Sequence, residues 1–588
     1  MARPCRYRAL ALALALIVSG SLALAEDPAV PQDLPPAPAI VAGEVSFELD
    51  VLPVLTAAGC NAGACHGKSR GQNGFALSLL GFDPDFDYSS IVEESHGRRV
   101  FPAAAENSLV LRKPSMQLPH GGGQRLQKGS GEYETLRRWI ASGMPRAGAN
   151  AAKLDHITVQ PPERVMPAGS SEQLKVLAHY SDGSVRDVTR LTDFQSNEPG
   201  IVSVEGGLVK AGSLAGEATL MIRYMNNITA WNTAIPIEGS VDAQLYANLP
   251  RKNFIDPLVW DKLQTMGITP SESAADHTFL RRAYLDVIGR LPTPDEARAF
   301  LASTAPSKRD ELVDALLARP EYADYWANKW ADLLRPNPYR VGIKPTMAFD
   351  AWIRQSFREN KPYDQFAREL VTAQGSTWRN GAATLFRDRR TPDEITPIVS
   401  QLFLGIRLEC AKCHHHPFEV WSQDDFYSLA AYFARVTHKG EAISAPISGG
   451  EEIVFVADSG SVSHPITQKT LEPRPLFGQA RAIEPGEDPR AALADWITSS
   501  ENKYFAQAAV NRVWAELMDR GLVDPVDDLR ATNPPSNPAL LEALADDFRK
   551  QGFDLKKLIR AIMTSHVYEL SSTPNERNVA DTRNYSRH

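Results

Sequence analysis

The chain has 588 residues, with 63 Lys and Arg against 71 Asp and Glu, and a formal net charge of −8 at pH 7. This length is several times that of a usual domain, so the sequence predicts two to four separately cored domains. A hydrophobic content of 43% with 23% charged residues is typical of folded globular proteins. The negative balance, without a dense basic run, argues against nucleic acid as a partner.

Residues 1–25 have the pattern of a secretory signal peptide. Basic residues precede an apolar run over 9–18, and Ala23-Leu24-Ala25 offers a cleavage site. We therefore expect a mature chain that begins near Glu26 and works outside the cytoplasm, in the periplasm or at the cell surface. No later stretch approaches the roughly 18 uninterrupted apolar residues that a membrane span needs. An uncleaved anchor is the alternative.

A Pro- and Ala-rich linker over 26–44 leads into a predicted helical domain over 45–150. Residues 45–55 favour a short amphipathic helix that runs into a cysteine motif, and a second helix ends near Gly143 and Pro145. A helix before the cysteines and another at the end of the domain are typical of a small cytochrome c.

Four cysteines remain once Cys5 is removed with the signal peptide, and they form two pairs that are each followed by histidine. Covalent haem c explains this pattern, because two thiols add to the porphyrin and the adjacent imidazole binds the iron. In the first motif, Cys60, Cys65 and His66, the thiols lie five residues apart. They would be about 140° apart on a helix, so the segment must be looped, which Gly63 permits.

The second motif is Cys410, Cys413 and His414, whose i, i+3, i+4 spacing places all three on one helical face. Its spacing matches haem attachment better than that of the first motif. Three alternatives compete: a short disulfide within each pair, a thioredoxin-like pair, or zinc bound with help from His415 and His416.

A loop in the first domain offers a sixth ligand for iron. His120 is the first choice, because the three glycines that follow it let the backbone approach the haem closely. Met116 and Met144 are alternatives, and His96 is a weaker one. The competing interpretation of His120 is a histidine on a solvent-facing loop.

Short alternating runs separated by glycine turns predict a small β-sandwich over 154–240. This region has no cysteine and no cluster of acids or histidines, so it is expected to be a spacer or adhesive module.

Helical periodicity dominates from 250 onward, over 250–440 and again over 485–588, with a loop and β excursion over 441–484. It predicts helices over 277–289, 294–301 and 308–317, and helix over 401–408 before the second cysteine motif. Seven aromatic residues at helical spacing favour hydrophobic core over a haem pocket. They are Tyr322, Tyr325, Trp326, Trp330, Trp352, Phe357 and Phe366. Asp527 and Asp528 suggest acid/base hydrolysis, but adjacent acids in a loop are more often solvated.

These residues together resemble the exported proteins that carry planctomycete-type cytochrome c domains. Residues 59–144 are similar to the first such domain, and 161–224 resemble bacterial Ig-like group 2 domains. Residues 254–436 resemble the second cytochrome domain through the run from Glu409 to Phe418, in which His415 replaces the usual acid and His416 matches the usual second histidine. Residues 491–584 resemble the start of a partner domain of unknown function, so the resemblance implies a truncated C-terminus.

The sequence therefore predicts an exported dihaem protein that carries electrons between an unidentified donor and acceptor. It predicts a multi-domain fold with a cytochrome c-like helical domain, an Ig-like β-sandwich and a large, mainly helical C-terminal region. The alternative is a cell-surface binding or scaffold protein with disulfides or a metal clip in place of haem, in which the Ig-like module contacts carbohydrate or another surface.

Overall fold

The structure is a computed structural model that describes residues 45–68, 70–148, 151–440 and 450–588. The expected signal peptide with Cys5, the linker, and part of the loop over 441–484 lie outside these residues. The chain is multi-domain, with helices and several small sheets, and its buried side chains form three hydrophobic cores. Within the described ranges, no helix is long and apolar enough to span a bilayer.

The first core belongs to residues 45–148, which are helical. A π-helical turn, Phe47–Val51, continues into the helix Leu52–Ala57. The later helices are Pro84–Val92, Leu109–Arg112 and Gly131–Ala141, with 3-10 turns at Leu79–Gly81, Glu94–Gly97 and Pro102–Asn107. Trp139 is fully buried and packs on Phe47 with ring centroids 5.5 Å apart, so the first and last helices enclose this core.

The second core lies among β-strands between residues 154 and 235. The strands are Leu154–Gln160, Arg164–Val165, Ser171–Gln173, Lys175–Tyr180, Val185–Asp187, Asp193–Ser196, Val202–Glu205, Leu208–Ala211, Gly216–Tyr224 and Asn227–Ile235. They form three small sheets. The longest hairpin pairs Gly216–Tyr224 with Asn227–Ile235 in antiparallel register from Asn227 opposite Tyr224 to Ile235 opposite Gly216. The β-rich region is compatible with the predicted β-sandwich.

Helices resume after the sheets and build the third and largest core. They are Ala243–Ala247, Ile255–Met266, Asp276–Ile288, Pro294–Ala302, Lys308–Leu317, Pro320–Leu334, Pro338–Val341, Ile343–Arg358, Tyr363–Val371, Thr384–Asp388, Pro392–Leu404, Gln423–Ala430, Pro489–Ile497, Lys503–Met518, Pro538–Lys550 and Leu555–Met563. Short 3-10 turns occur at Thr189–Leu191, Gly381–Ala383, Glu409–Lys412 and Ala431–Phe433.

A small antiparallel sheet interrupts the helices. Its strands are Gly375–Ser376, Glu452–Val456 and Val436–Gly440, in that order across the sheet, and a separate pair joins Val462–Ser463 to Thr470–Leu471. The alternating burial of Glu452–Val456 places Val454 in the core while Ile453 and Phe455 face outward.

One hydrophobic core joins the helices of 250–440 to those of 485–588. The rings of Tyr363 and Phe505, from opposite sides of the β excursion, stack 5.0 Å apart. The aromatic residues expected to be core are in or against it, and Tyr322, Trp326 and Trp330 are almost fully buried. They do not wall a haem pocket at the second motif.

The helix before the second motif is shorter than predicted. The sequence indicated helix as far as Leu408, but the helix ends at Leu404 because Gly405 adopts a left-handed φ of 66°. A side chain there would collide with Leu529, whose nearest carbon lies 2.3 Å from the Cβ position. Cys410 therefore follows a loop and lies on the separate turn Glu409–Lys412.

Candidate functional site

The first motif opens into a cavity of about 400 Å³. Cys60, Cys65, His66 and His120 all line it, so the structure brings the three residues of the predicted attachment motif together with the predicted sixth ligand. We call this space the thiol–histidine cavity.

Local backbone contacts loop the first motif tightly. The N–H of Cys60 donates to the carbonyl of Leu55 at the end of the preceding helix, and the N–H of His66 donates back to the carbonyl of Cys60 at 3.0 Å. Gly67 must lack a side chain, because its Cβ position is 1.9 Å from the carbonyl oxygen of Asn61. Because the segment is looped, Cys60 and Cys65 both reach the same cavity, whereas a regular helix would place them about 140° apart.

One ring nitrogen of His66 is engaged by the backbone, which leaves Nε2 free of that contact. Its Nδ1 lies 2.8 Å from the carbonyl oxygen of Phe75, and its ring packs on the Phe75 ring with centroids 4.5 Å apart. A hydrogen bond of this kind fixes the tautomer and leaves the other nitrogen as a ligand. Burial, more than the neighbouring cations, lowers the pKa of His66, which favours the neutral imidazole that binds iron.

His120 shows the same arrangement on the opposite side of the cavity. Its Nδ1 lies 2.8 Å from the carbonyl oxygen of Gly123, and a Cβ on Gly122 would be 3.0 Å from the His120 ring. The rings of His66 and His120 have centroids 6.4 Å apart and planes 16° apart. Two imidazoles that share one metal have ring centres roughly 6 Å apart when each nitrogen lies about 2 Å from it.

The other predicted sixth ligands lie elsewhere. Met116 and His96 have exposed side chains, and both sit at positive φ in surface turns. Met144 packs against the first core, and its carbonyl accepts a hydrogen bond from Tyr88. These three residues are not among those that line the thiol–histidine cavity, so the geometry favours His120.

The lining of the cavity combines apolar and cationic side chains. Apolar side chains are contributed by Leu55, Phe75, Leu77, Leu109, Val110, Pro114 and Pro119. The charged side chains are those of Arg98, Arg99, Lys113 and Arg125, and among the residues that the structure describes no Asp or Glu lines the cavity. Sequence inspection did not identify this cationic rim, because its members are scattered over 28 positions, from 98 to 125, and only the fold brings them together.

Burial governs the chemistry of the first thiol. It raises the pKa of Cys60 to about 12, with a further contribution from the nearby Cys65 and an opposing one from Arg125. Cys60 therefore remains a protonated, weakly nucleophilic thiol at neutral pH.

The second motif lies at the protein surface. Cys410 and Cys413 are exposed, and the N–H groups of Cys413 and His414 lie 3.3 and 3.4 Å from the carbonyl oxygen of Cys410. One turn therefore aligns the motif, as the spacing predicted. Nδ1 of His414 lies 2.6 Å from the carbonyl oxygen of His415, which leaves its Nε2 available.

The other second-motif histidine in the predicted ligand set, His416, is half-buried, as is its neighbour His415. Burial lowers the pKa of His416 to about 4, with further contributions from Arg530 and His414, so this ring is neutral at physiological pH. The ring of His415 contacts Phe82 of the first domain at 5.4 Å. His415 and His416 line a cavity that neither cysteine of the motif lines.

The residues of the alternative interpretations are placed as follows. All four cysteines of the described segments are free thiols. Among the residues that the structure describes, no three or more Cys, His, Asp or Glu side chains are grouped so that they could hold a metal ion. Asp527, the candidate acid, is paired with Arg407 and Gln401, and Asp528 lies 3.2 Å from Arg530.

Two family models match the helical part of the chain. Residues 254–438 match PSCyt2, a protein of unknown function (DUF1549). Residues 489–588 match PSD1, also a protein of unknown function (DUF1553). Both matches fit the planctomycete-type family. The first contains the second motif, whereas the first motif and the β-rich region lie outside both matched segments. No curated protein matches the chain.

Proposed function

We propose that the protein is an exported electron carrier that binds haem c covalently at both motifs. The observation that carries this proposal is the convergence of Cys60, Cys65, His66 and His120 on one cavity of about 400 Å³. Both imidazoles have Nδ1 bound to a backbone carbonyl and face each other at 6.4 Å. Haem supplies one-electron chemistry at iron when it is bound.

Each element of the first site has a defined role. The thiols of Cys60 and Cys65 would hold the cofactor covalently, and the imidazoles of His66 and His120 would bind its iron. The cationic rim fits the two propionate groups of haem, because carboxylates are stabilised by guanidinium and ammonium donors. The apolar wall excludes water from the macrocycle, and burial with axial ligation sets the reduction potential.

The second motif fits attachment in a different way. Its thiols are exposed and lie one turn apart, and His414 has one ring nitrogen free. Phe418 and Val420, which follow the motif, are also exposed, by 41% and 55%, and offer apolar surface to one face of a cofactor. A haem held there has more solvent access than one in the thiol–histidine cavity. The two sites therefore differ in environment, as expected for two steps in an electron path.

The experiment produces the full-length protein in cells that have haem-maturation machinery and measures covalent haem after denaturation. The wild-type chain should carry two haems, each adding about 616 Da for the chemistry assumed. Cys60→Ser with Cys65→Ser should carry one, and so should Cys410→Ser with Cys413→Ser. A colourless wild-type protein, or one with a disulfide within each motif, would contradict the proposal.

A further inference from the structure

A serine, a histidine and a glutamate lie in a row outside both cysteine motifs. Oγ of Ser273 lies 3.5 Å from Nε2 of His566, and Nδ1 of His566 lies 3.6 Å from Oε2 of Glu569. Contacts of this kind are often long before a substrate binds. We call these three residues the Ser–His–Glu row. A serine hydroxyl at one imidazole nitrogen and a carboxylate at the other is the order of groups that activates serine for attack on acyl compounds.

The row is assembled from both segments that match family models. Ser273 lies within the first matched segment, whereas His566 and Glu569 lie within the second. Backbone hydrogen bonds flank the serine: the N–H of Ala274 donates to the carbonyl of Glu569 at 2.7 Å, and the N–H of Ser571 donates to the carbonyl of residue 272 at 2.8 Å. Ser273 is therefore held in a short antiparallel bridge, and its position is fixed by the fold.

The histidine is held on its other sides. Only 12% of the His566 side chain is exposed. Its ring meets the Trp260 ring edge to face, with centroids 6.1 Å apart and planes at 67°. The N–H of Glu569 donates to the carbonyl of His566 at 3.0 Å, so a backbone turn places the carboxylate beside the imidazole.

The glutamate is buried but remains ionised. Nζ of Lys252 donates to its Oε1 at 2.9 Å, and Arg309 lies 3.7 Å from its Oε2. Burial alone would raise the pKa of Glu569, but contacts with His566 and Lys252 lower it. An ionised carboxylate at Nδ1 orients the N–H of the imidazole toward itself and leaves Nε2 to accept the serine proton.

The surroundings of the serine fit an oxygen that becomes negatively charged. Ser273 is exposed, so a substrate reaches its hydroxyl from solvent. The helix Asp276–Ile288 begins after Ala275, whose side chain cannot cap the first N–H groups. N–H groups at the start of a helix stabilise negative charge, and Arg309 pairs with Asp276, the acid of this first turn, at 2.9 Å.

We propose that the Ser–His–Glu row is a catalytic site that hydrolyses small, activated esters. Oγ of Ser273 bonds to the carbonyl carbon as its proton passes to Nε2 of His566, and the ester C–O bond breaks as the alcohol leaves with that proton. Water then attacks the acyl-serine and gives a proton to His566, which returns it to Oγ as the acid leaves. Ester and water thus become acid and alcohol, without any change in oxidation state. An exposed serine encloses little of an acyl group, which is why a small ester is the substrate class.

The test exposes the full chain, without haem, to the serine reagent diisopropyl fluorophosphate. An Oγ–P bond forms and the P–F bond breaks, and fluoride leaves as the proton passes to His566. Peptide mass mapping should find the label on Ser273. His566→Ala should slow labelling about 100-fold, because it removes the general base. His277→Ala, which removes an exposed histidine on the adjacent helix, should label at the wild-type rate.

A second measurement separates catalysis from structure. Added imidazole should restore part of the labelling rate in His566→Ala, a rescue that a purely structural histidine would not show. Ser273→Ala replaces an exposed side chain and should keep the wild-type unfolding midpoint while losing the hydrolysis of p-nitrophenyl acetate. Wild-type chain without label on Ser273, or Ser273→Ala with undiminished ester hydrolysis, would overturn the proposal. Haem content does not enter either measurement, so the result is independent of the proposed function.

Discussion

His120 is the residue on which the proposed coordination at the first site depends most. His120→Ala should leave the covalent haem content unchanged, because the thiols and His66 are intact. It should convert the iron at this site from six-coordinate low-spin to high-spin, since the distal nitrogen is lost. Absorbance and electron paramagnetic resonance spectra measure this change. His96→Ala removes an exposed histidine of the same domain and should alter neither spectrum; unchanged spin in His120→Ala would exclude it as a ligand.

Lys113 tests the electrostatic role of the cationic rim. Its ammonium group lies at the cavity and donates to the carbonyl of Pro119 at 3.3 Å. In water, one unit charge changes the energy of another by roughly 0.4 kcal/mol at a separation of about 10 Å, which sets the scale for a haem bound in the cavity. Lys113→Gln should therefore lower the midpoint potential of the first haem by about 20 mV at low ionic strength. Lys128→Gln, an exposed site outside the cavity lining, is the matched control in the redox titration.

At the scale of elements, Asp87 joins the helix Pro84–Val92 to Ser78, the residue before the 3-10 turn Leu79–Gly81. The Ser78 hydroxyl donates to its carboxylate at 2.7 Å, and burial raises the pKa of Asp87 to about 6. The folded state therefore binds more protons than the unfolded chain between about pH 4 and 6. Stability conferred by the protonated carboxyl is present below this window and decreases as pH rises through it, by at most about 3 kcal/mol.

Hydrogen exchange of peptides from Pro84–Val92 measures this local stability. The free energy of opening should fall between pH 4 and 6 in the wild-type chain, and Asp87→Asn should flatten the dependence. A local measurement is needed because burial also raises the pKa of Asp286 to about 6 and that of Glu419 to about 7. A wild-type peptide whose opening energy stays constant over this range would contradict the assignment.

The sequence predicted regular elements well where periodicity is long. The expected helices at 277–289 and 308–317 correspond to Asp276–Ile288 and Lys308–Leu317. The sequence did not predict helix ends that depend on the conformation of one residue. The helix Pro392–Leu404, which Gly405 ends early, is an example. A left-handed glycine packed against a distant side chain leaves no local pattern, because the residue that forces it, Leu529, is far away in sequence.

The same reasoning explains what was predictable of the candidate site. Residue types and spacing predicted both motifs as candidates, because covalent attachment would impose a local pattern on the cysteines, and the glycines after His120 suggested that residue. How far each motif is enclosed by the protein could not be predicted. The spacing of the second motif matches haem attachment better, but its cysteines are exposed. The first motif has the less regular spacing, yet its residues line a cavity of about 400 Å³. The cavity walls include residues distant in sequence from the cysteines, such as Phe75 and Arg125. The sequence of the motif itself therefore does not indicate whether the motif is enclosed.

At the scale of the whole molecule, the two segments that match family models behave as one folding unit. Asp256, fully buried at the start of its helix, accepts hydrogen bonds from the N–H groups of Lys252 and Asn253 at 2.6 and 3.2 Å. It also accepts one from the N–H of Val567, 311 residues further on, at 3.1 Å. A single carboxylate therefore satisfies donors in both segments, in keeping with the hydrophobic core that they share.

Asp256→Ala should destabilise both segments together. The substitution leaves three buried or half-buried N–H groups without their acceptor, at about 1–3 kcal/mol for each unsatisfied group. Limited proteolysis with peptide mapping should then show cleavage within 254–438 and within 489–588 at the same denaturant concentration, below that of the wild-type chain. Asp261→Ala, an exposed position on the same helix, should be close to neutral. If only one segment became susceptible, the shared core would be two independently stable halves, and Asp256 would serve only its own helix.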